Sequence, residues 1–416
     1  MTRLRHRLAV LAAPLVVSTL PLLAPAPASA EAPPCEPGVT RYVRQSAYAI
    51  TSLSIPQSWP LSRGQGQVVA VVDSGVDDTN KHFPPGVVLP GTSFVPGSPH
   101  EDFIGHGTAV AGIIAARPVA GSALIGAAPE VKILPVRVFH DEDTTGQRAV
   151  QFPPDTTRMA AGIRWAASHG ADVINVSMST NAGDRHLPEL KAALAFAHAK
   201  DVVVVASGGN PGQGDTLPLT ATRWPAAGTH VLGVAATNAA GVVDQWSIHG
   251  PQNDVAAPGA NVLATFHGNG DCLYGQEHAY TSFAAPFVSG LAAQLRERFP
   301  DESADQIAYR IMASADRPRM GERDDVSGWG EIRPYEALTM SLDPNRAGPP
   351  VPGVRKPAAA RADTSPVTPV AAQTDPLAPV RSQAMWAALV AVGLCALALV
   401  LRPWLGPQTR ERRRRR

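Results

Sequence analysis

The stretch Val68-Val69-Ala70-Val71-Val72 carries no polar side chain and is followed at once by Asp73-Ser74-Gly75. A short apolar run rich in β-branched residues that does not alternate with polar ones reads as a strand buried on both faces. Such strands require helices on both sides of a parallel sheet. Val131–Phe139, Val173–Met178, Val202–Val205 and Val231–Ala235 read the same way. Helical periods separate or follow them. Met159–His169 is ended by Gly170, and Leu187–Lys200 has Leu190, Leu194 and Ala197 on one face. Ser282–Phe299 and Ser303–Ala313 come later, and Pro334–Leu338 closes the globular part. The alternation gives an α/β fold: a mostly parallel β-sheet with helices on both faces. Ile55-Pro56-Gln57-Ser58-Trp59-Pro60 reads as a surface segment entering that domain.

The two ends differ from the body. Residues 1–30 carry Arg3, Arg5 and Arg7, an apolar run from Leu8 to Leu23 and Ala28-Ser29-Ala30, the three parts of an export signal peptide. Residues 384–401 contain no charge and are long enough to form a transmembrane helix. Residues 402–416 hold seven Arg and one Glu, a basic tail that the positive-inside rule assigns to the cytoplasm. The two ends together carry +9 against a chain total of +1, so the body between them carries −8. An acidic body argues against nucleic acid as its partner. Residues 31–54 form an N-terminal extension, 55–342 the main domain, and 343–383 a Pro/Ala-rich linker with nine prolines. That composition cannot bury a core and reads as an extended tether of roughly 100 Å reach. Cys395 lies in the proposed span, which leaves Cys35 and Cys272 in the exported body, where an oxidising compartment permits a disulfide. Two cysteines cannot make a zinc site by themselves, and no acidic cluster has calcium-loop spacing. His169, His198, His249 and His278 read as ordinary surface or packing residues, and no cofactor or metal is expected.

Four short sequences carry the chemistry: Val-Val-Asp73-Ser-Gly, Gly-His106-Gly-Thr, Ala-Ser-Gly-Gly-Asn210 and Thr-Ser282-Phe-Ala-Ala-Pro. Asp73 closes a buried strand, at the sheet edge where α/β proteins place functional groups. Ser282 opens a helix of small residues, and Pro286 is tolerated in its first turns. A helix start offers free N–H groups and partial positive charge beside the serine. Peptide hydrolysis needs an activated hydroxyl, a proton carrier and an oxyanion donor. Ser282 fits as nucleophile, His106 as base and then acid, and Asp73 as the group that orients the imidazole. The Asn210 side chain, with the Ser282 N–H, would hold the oxyanion.

In the order Asp, His, Asn, Ser, these motifs resemble the subtilisin-like serine proteases over roughly residues 55–340. The resemblance implies a subtilisin-like fold and serine endopeptidase activity on polypeptide substrates. It also implies that Ser177-Met178-Ser179 pairs with an extended substrate and that Ser207-Gly208-Gly209 walls the primary specificity pocket. Ala257-Pro258-Gly259 matches a further family motif of structural character. Signal, protease domain, proline-rich tether, single span and basic tail together resemble the mycosins, membrane-anchored proteases of type VII secretion systems. The segments Pro56–Gly64 and Gly105–Pro118, and Phe283, support that subgroup. The resemblance implies a cell-membrane location, an extracytoplasmic catalytic domain and contact with subunits of a secretion membrane complex. Two positions depart from the family pattern. Tyr280 and Ser179 stand where glycine is usual, and Tyr280 is expected to restrict the backbone and crowd the cleft. A protease-like structural subunit with weak or dispensable proteolysis is the alternative reading.

Overall fold

The computed structural model describes residues 35–140, 152–211, 218–317, 321–353 and 377–401. The signal segment and the basic tail lie outside the described residues. The chain divides into a unit ending at Lys356 and a second beginning at Pro357. In the first unit the strands are β1 (Val68–Asp73), β2 (Thr92–Ser93), β3 (Lys132–Arg137), β4 (Val173–Val176), β5 (Thr180–Asn181), β6 (Val203–Ser207), β7 (Arg223–Trp224), β8 (Val231–Thr237), β9 (Val255–Pro258), β10 (Val262–Thr265) and β11 (Asp271–Tyr274). The helices are α1 (Tyr48–Ser52), α2 (Ile55–Ser58), α3 (His106–Ala115), α4 (Thr156–Ser168), α5 (Leu187–Ala199), α6 (Thr281–Arg298), α7 (Ala304–Ser314) and α8 (Pro334–Thr339).

Seven strands form one sheet in the order β2-β3-β1-β4-β6-β8-β9, with every pairing parallel. The pleat sorts each apolar run between two cores. Val69, Val71, Ile133, Val173, Val203 and Val205 join α3 and α6 on one face. Ala70, Val72, Leu134, Val136, Ile174 and Val204 join α4 and α5 on the other. This two-sided burial is why the strands show no polar alternation. Each fully buried Val or Ile contributes about 1.5–3 kcal/mol.

Helix α6 is the pillar of the first core. It is buried almost all round from Thr281 to Arg296, which explains its lack of a polar stripe. Small residues let it approach its neighbours closely: a Cβ on Gly290 would stand 2.7 Å from that of Ala127. The carboxyl edge of the sheet carries Asp73 at the end of β1 and Ser207 at the end of β6. The first turns of α3 and α6 bring His106 and Ser282 into the same unit.

Three segments differ from the sequence reading. Residues 55–58 are the helix α2, with Ile55 and Ser58 buried, rather than a surface segment. The Trp59 indole N–H donates to the Ala127 carbonyl at 3.0 Å and holds this turn down. The beginning of the proline-rich linker also lies on the domain. Val351 is buried with Tyr309 and Ala313, and the Asp343 carbonyl accepts the Tyr309 hydroxyl at 3.3 Å. A buried valine and two backbone carbonyls, the second accepting from Arg317 at Ala347, fasten this otherwise coreless segment. Residues 354–376 are outside the described part. In the second unit, helix α9 spans Ala378–Leu401, starting before the expected residue 384. Val380–Leu401 is 22 residues long with mean hydropathy 2.5 and is exposed throughout, the length and composition of a single membrane crossing.

The expected link between Cys35 and Cys272 is present as a disulfide. It fastens the N-terminal extension to β11, along which Arg41 exchanges backbone hydrogen bonds with Asn269 and Asp271 at 3.0 and 2.8 Å.

Candidate active site

Asp73 is completely buried because it ends a strand covered on both faces. Its Oδ1 accepts the Ser74 N–H at 2.8 Å and the His106 Nδ1–H at 2.7 Å. Accepting from Nδ1 leaves Nε2 as the working nitrogen of the imidazole. His106 keeps 24% of its side chain exposed, so its outer edge reaches solvent. Glycines on either side make this placement possible. Gly105 caps α3 with φ of 75°, and a Cβ on Gly107 would lie 2.1 Å from the Gly75 carbonyl oxygen.

Asp102 is a component that sequence reasoning missed. It is buried, accepts the Gly105 N–H at 2.9 Å, and takes both the N–H and the hydroxyl of Thr108 at 2.8 and 2.6 Å. Ser74 donates its hydroxyl to Asp102 at 2.9 Å and accepts the Gly107 N–H at 3.0 Å. Asp102 therefore clamps the first turn of α3, and with it His106, to the end of β1. The only sequence signal was an acidic residue four positions before the histidine.

Ser282 is half-buried in the first turn of α6. Its carbonyl accepts the Ser177 hydroxyl at 2.8 Å. Ser177 in turn accepts from the Asn175 side-chain N–H at 2.9 Å, and the Asn175 side-chain oxygen accepts the Ser289 hydroxyl at 2.8 Å. This buried polar chain ties β4 to α6. Ser177 and Met178 are buried and Ser179 is half-buried. Gly208 donates to the Val234 carbonyl at 2.8 Å, and Gly209 donates to the Thr281 hydroxyl at 3.1 Å. The Ser207–Gly209 segment thus abuts the residue before Ser282. Phe283 places its ring 5.6 Å from that of His106.

Asn210 reaches this turn but faces it differently from the sequence expectation. Its amide N–H groups donate to the carbonyls of Trp246 and Ala279 at 2.8 and 3.1 Å. Its oxygen accepts the Thr281 N–H and hydroxyl, each at 2.8 Å. Both donors are thus occupied by backbone, and an oxyanion role for Asn210 requires the side chain to exchange those bonds. Tyr280 also differs from expectation. Its φ of −105° is ordinary extended backbone, so a side chain costs no strain there. Its ring is packed against the α6 core, edge-on to Phe283 at 6.1 Å. Gly259 meets the need for close approach instead, since a Cβ there would lie 2.5 Å from the Tyr280 carbonyl.

A model of the subtilase family matches residues 64–330, more than half of the chain and the whole region just described. The chain belongs to the subtilase family. This subtilase is 34% identical over 365 residues to mycosin-3 of Mycobacterium tuberculosis, covering 76% of this chain and 77% of that protein. It is 33% identical over 304 residues to thermitase of Thermoactinomyces vulgaris, covering 71% of this chain and 97% of that protein. The crystal structure of MycP1 from the ESX-1 type VII secretion system superposes with a TM-score of 0.64 at 29% identity, covering 77% of this chain and 91% of that one. The fold is subtilisin-like, the chain is a relative of the mycosins, and by family it is a serine endopeptidase.

The electrostatics of the subtilase site set a pH dependence. Burial pushes the His106 imidazole down, but the charge and hydrogen bond of Asp73, helped by Asp102, outweigh it and leave His106 above its ordinary value. A protonated imidazole cannot accept the serine proton. With His106 as the base, activity is expected to fall as pH drops through the His106 value, at a pH higher than for an ordinary imidazole. Burial also pushes the Asp102 carboxyl up, against the hydrogen bonds from Thr108 and Ser74. Replacing Asp102 by Asn removes one source of the rise at His106 and should move the acid limb to lower pH. A pH–rate profile of both proteins checks this, and a flat wild-type rate between about pH 5 and 8 would contradict His106 as the base.

Proposed function

We propose that the chain is a membrane-tethered serine endopeptidase in which Ser282, His106 and Asp73 form the catalytic triad. The observation that carries this reading is the 2.7 Å bond from His106 Nδ1 to the buried Asp73. That bond fixes the tautomer whose Nε2 can take a proton from Ser282. Ser282 then attacks the scissile carbonyl, and the tetrahedral intermediate collapses as His106 returns the proton to the leaving amine. Water repeats the sequence on the acyl-enzyme. The Ser282 N–H, in the first turn of α6, would serve as an oxyanion donor. Asn210 would join it by releasing the Trp246 and Ala279 carbonyls. Ser177–Ser179 and Ser207–Gly209 would line the groove for the extended peptide. Helix α9 would anchor the enzyme with its domain outside the cytoplasmic membrane and the basic tail inside, where it would act with subunits of a type VII secretion complex.

The engaged donors of Asn210 also favour a second reading, a protease-like subunit that stabilises the complex with little turnover. Incubating the detergent-solubilised chain with an unfolded polypeptide and mapping the products by mass spectrometry separates the two. The endopeptidase reading expects internal cleavages that vanish in Ser282→Ala. Absence of cleavage, with Ser282→Ala still supporting secretion in cells, would favour the structural subunit.

A further inference from the structure

Away from the triad, three residues from three different elements converge. His198 lies in the last turn of α5, His230 immediately precedes β8, and Asp305 lies in the first turn of α7. His198 Nε2 is 3.2 Å from Asp305 Oδ2, and His230 Nδ1 is 2.8 Å from Asp305 Oδ1. The two imidazoles stack with centroids 3.6 Å apart and planes inclined by 16°. One atom from each of the three residues falls within a sphere where all lie inside 4.8 Å of one another.

We infer that His198, His230 and Asp305 form a binding site for a divalent transition-metal ion of the zinc class. Two imidazole nitrogens and one carboxylate are a donor set suited to Zn²⁺. Metal–ligand bonds of about 2.0–2.2 Å place tetrahedral donor atoms roughly 3.3–3.5 Å apart. Donor atoms up to 4.8 Å apart must close by up to about 1.5 Å, and the stacked rings must rotate out of their near-parallel planes so that each points a nitrogen at the ion. Ca²⁺ and Mg²⁺ demand more oxygen ligands than one carboxylate offers. Side-chain exposures of 35%, 39% and 33% for His198, His230 and Asp305 leave room for water to complete the coordination. His230 and Asp305 also border a surface cleft of about 480 Å³ that reaches Gln252 and Asp254, which supplies an entry path.

The negative end of α5 lies beside His198 and favours a cation there. Binding exchanges the two imidazole–carboxylate hydrogen bonds for metal bonds. The proton that each coordinating nitrogen gives to Asp305 in the metal-free site leaves that nitrogen on binding: a neutral ring shifts to the tautomer protonated on the opposite nitrogen through exchange with water, and a doubly protonated ring releases one proton to solvent. His230 has φ of 63°, a conformation uncommon for a residue with a side chain, and the ring it projects closes the cluster. An ion here would staple α5, the entry to β8 and α7, linking residues far apart in sequence.

The test uses untagged, metal-stripped full chain in detergent, titrated with Zn²⁺ by calorimetry and with Co²⁺ by visible absorption. One ion per chain is expected, with the intense absorption of low-coordinate Co²⁺ and a melting temperature that rises with Zn²⁺. His198→Asn, His230→Asn and Asp305→Asn should each weaken binding by at least about 100-fold and abolish the thermal shift, since even outer-shell losses cost roughly 10–100-fold. Fluorophosphonate labelling of each variant verifies that it is folded, because none of the three residues belongs to the triad. No saturable Zn²⁺ binding by the wild type, or undiminished binding by the triple variant, would overturn the site.

Discussion

Ser282→Ala is expected to lower kcat/KM for peptide hydrolysis by about 10⁴-fold or more while leaving the fold intact. The alanine removes only one hydroxyl, for which no structural hydrogen bond is found among the described residues. The bond from Ser177 ends on the Ser282 carbonyl instead, so the β4–α6 connection survives. His106→Ala should cost a similar factor, and the double variant little more, because the two groups act as one unit. Asp73→Asn keeps the volume but allows the imidazole to adopt the wrong tautomer, and should cost about 10⁴-fold in kcat. A stepwise additive loss across these variants, read from initial rates on a quenched peptide, would contradict a shared mechanism.

His82→Ala is expected to destabilise the domain by about 3–5 kcal/mol. His82 and Asp271 are both fully buried, with Nε2 2.8 Å from Oδ1. The other ring nitrogen lies 2.6 Å from the Arg117 carbonyl, so the ring sits between two polar partners in the interior. The second oxygen of Asp271 accepts the Val43 N–H at 2.9 Å and the Ser122 hydroxyl at 2.6 Å. Removing the imidazole strands a carboxylate in the interior beside the disulfide that holds the N-terminal extension. The damage should reach the site, since Thr265 of the same hairpin donates to the Thr108 carbonyl on α3 at 2.6 Å. Denaturant unfolding followed by tryptophan fluorescence checks the magnitude. A change below about 1 kcal/mol would show that the pair contributes no more than an exposed one.

The parts legible in the sequence are those dictated by uninterrupted local pattern. β1, β4, β6 and β8 were visible because double-sided burial leaves them mostly apolar, with polar residues confined to Asn175 and to strand ends. The motifs around His106 and Ser282 were visible because the left-handed turn at Gly105, the close backbone approach at Gly107 and the tight helix packing after Ser282 each demand small residues. Strands such as β2 and β9 escaped because two to four residues show no period. Asp102 looked like any loop carboxylate until the fold turned it under α3. The rotamer of Asn210 is set by the carbonyls of Trp246 and Ala279, 36 and 69 residues away, and the ease of Tyr280 by an extended backbone that no motif announces. His198, read as an ordinary surface or packing residue, acquires its partners only when α5, β8 and α7 come together.

The most direct test of the triad is labelling of the full chain with a fluorophosphonate probe, followed by peptide mapping. One covalent adduct is expected, on Ser282, that forms in the wild type, disappears in Ser282→Ala and is strongly slowed in His106→Ala. An adduct on another residue, or undiminished labelling in either variant, would contradict the assignment of Ser282 as the nucleophile activated by His106.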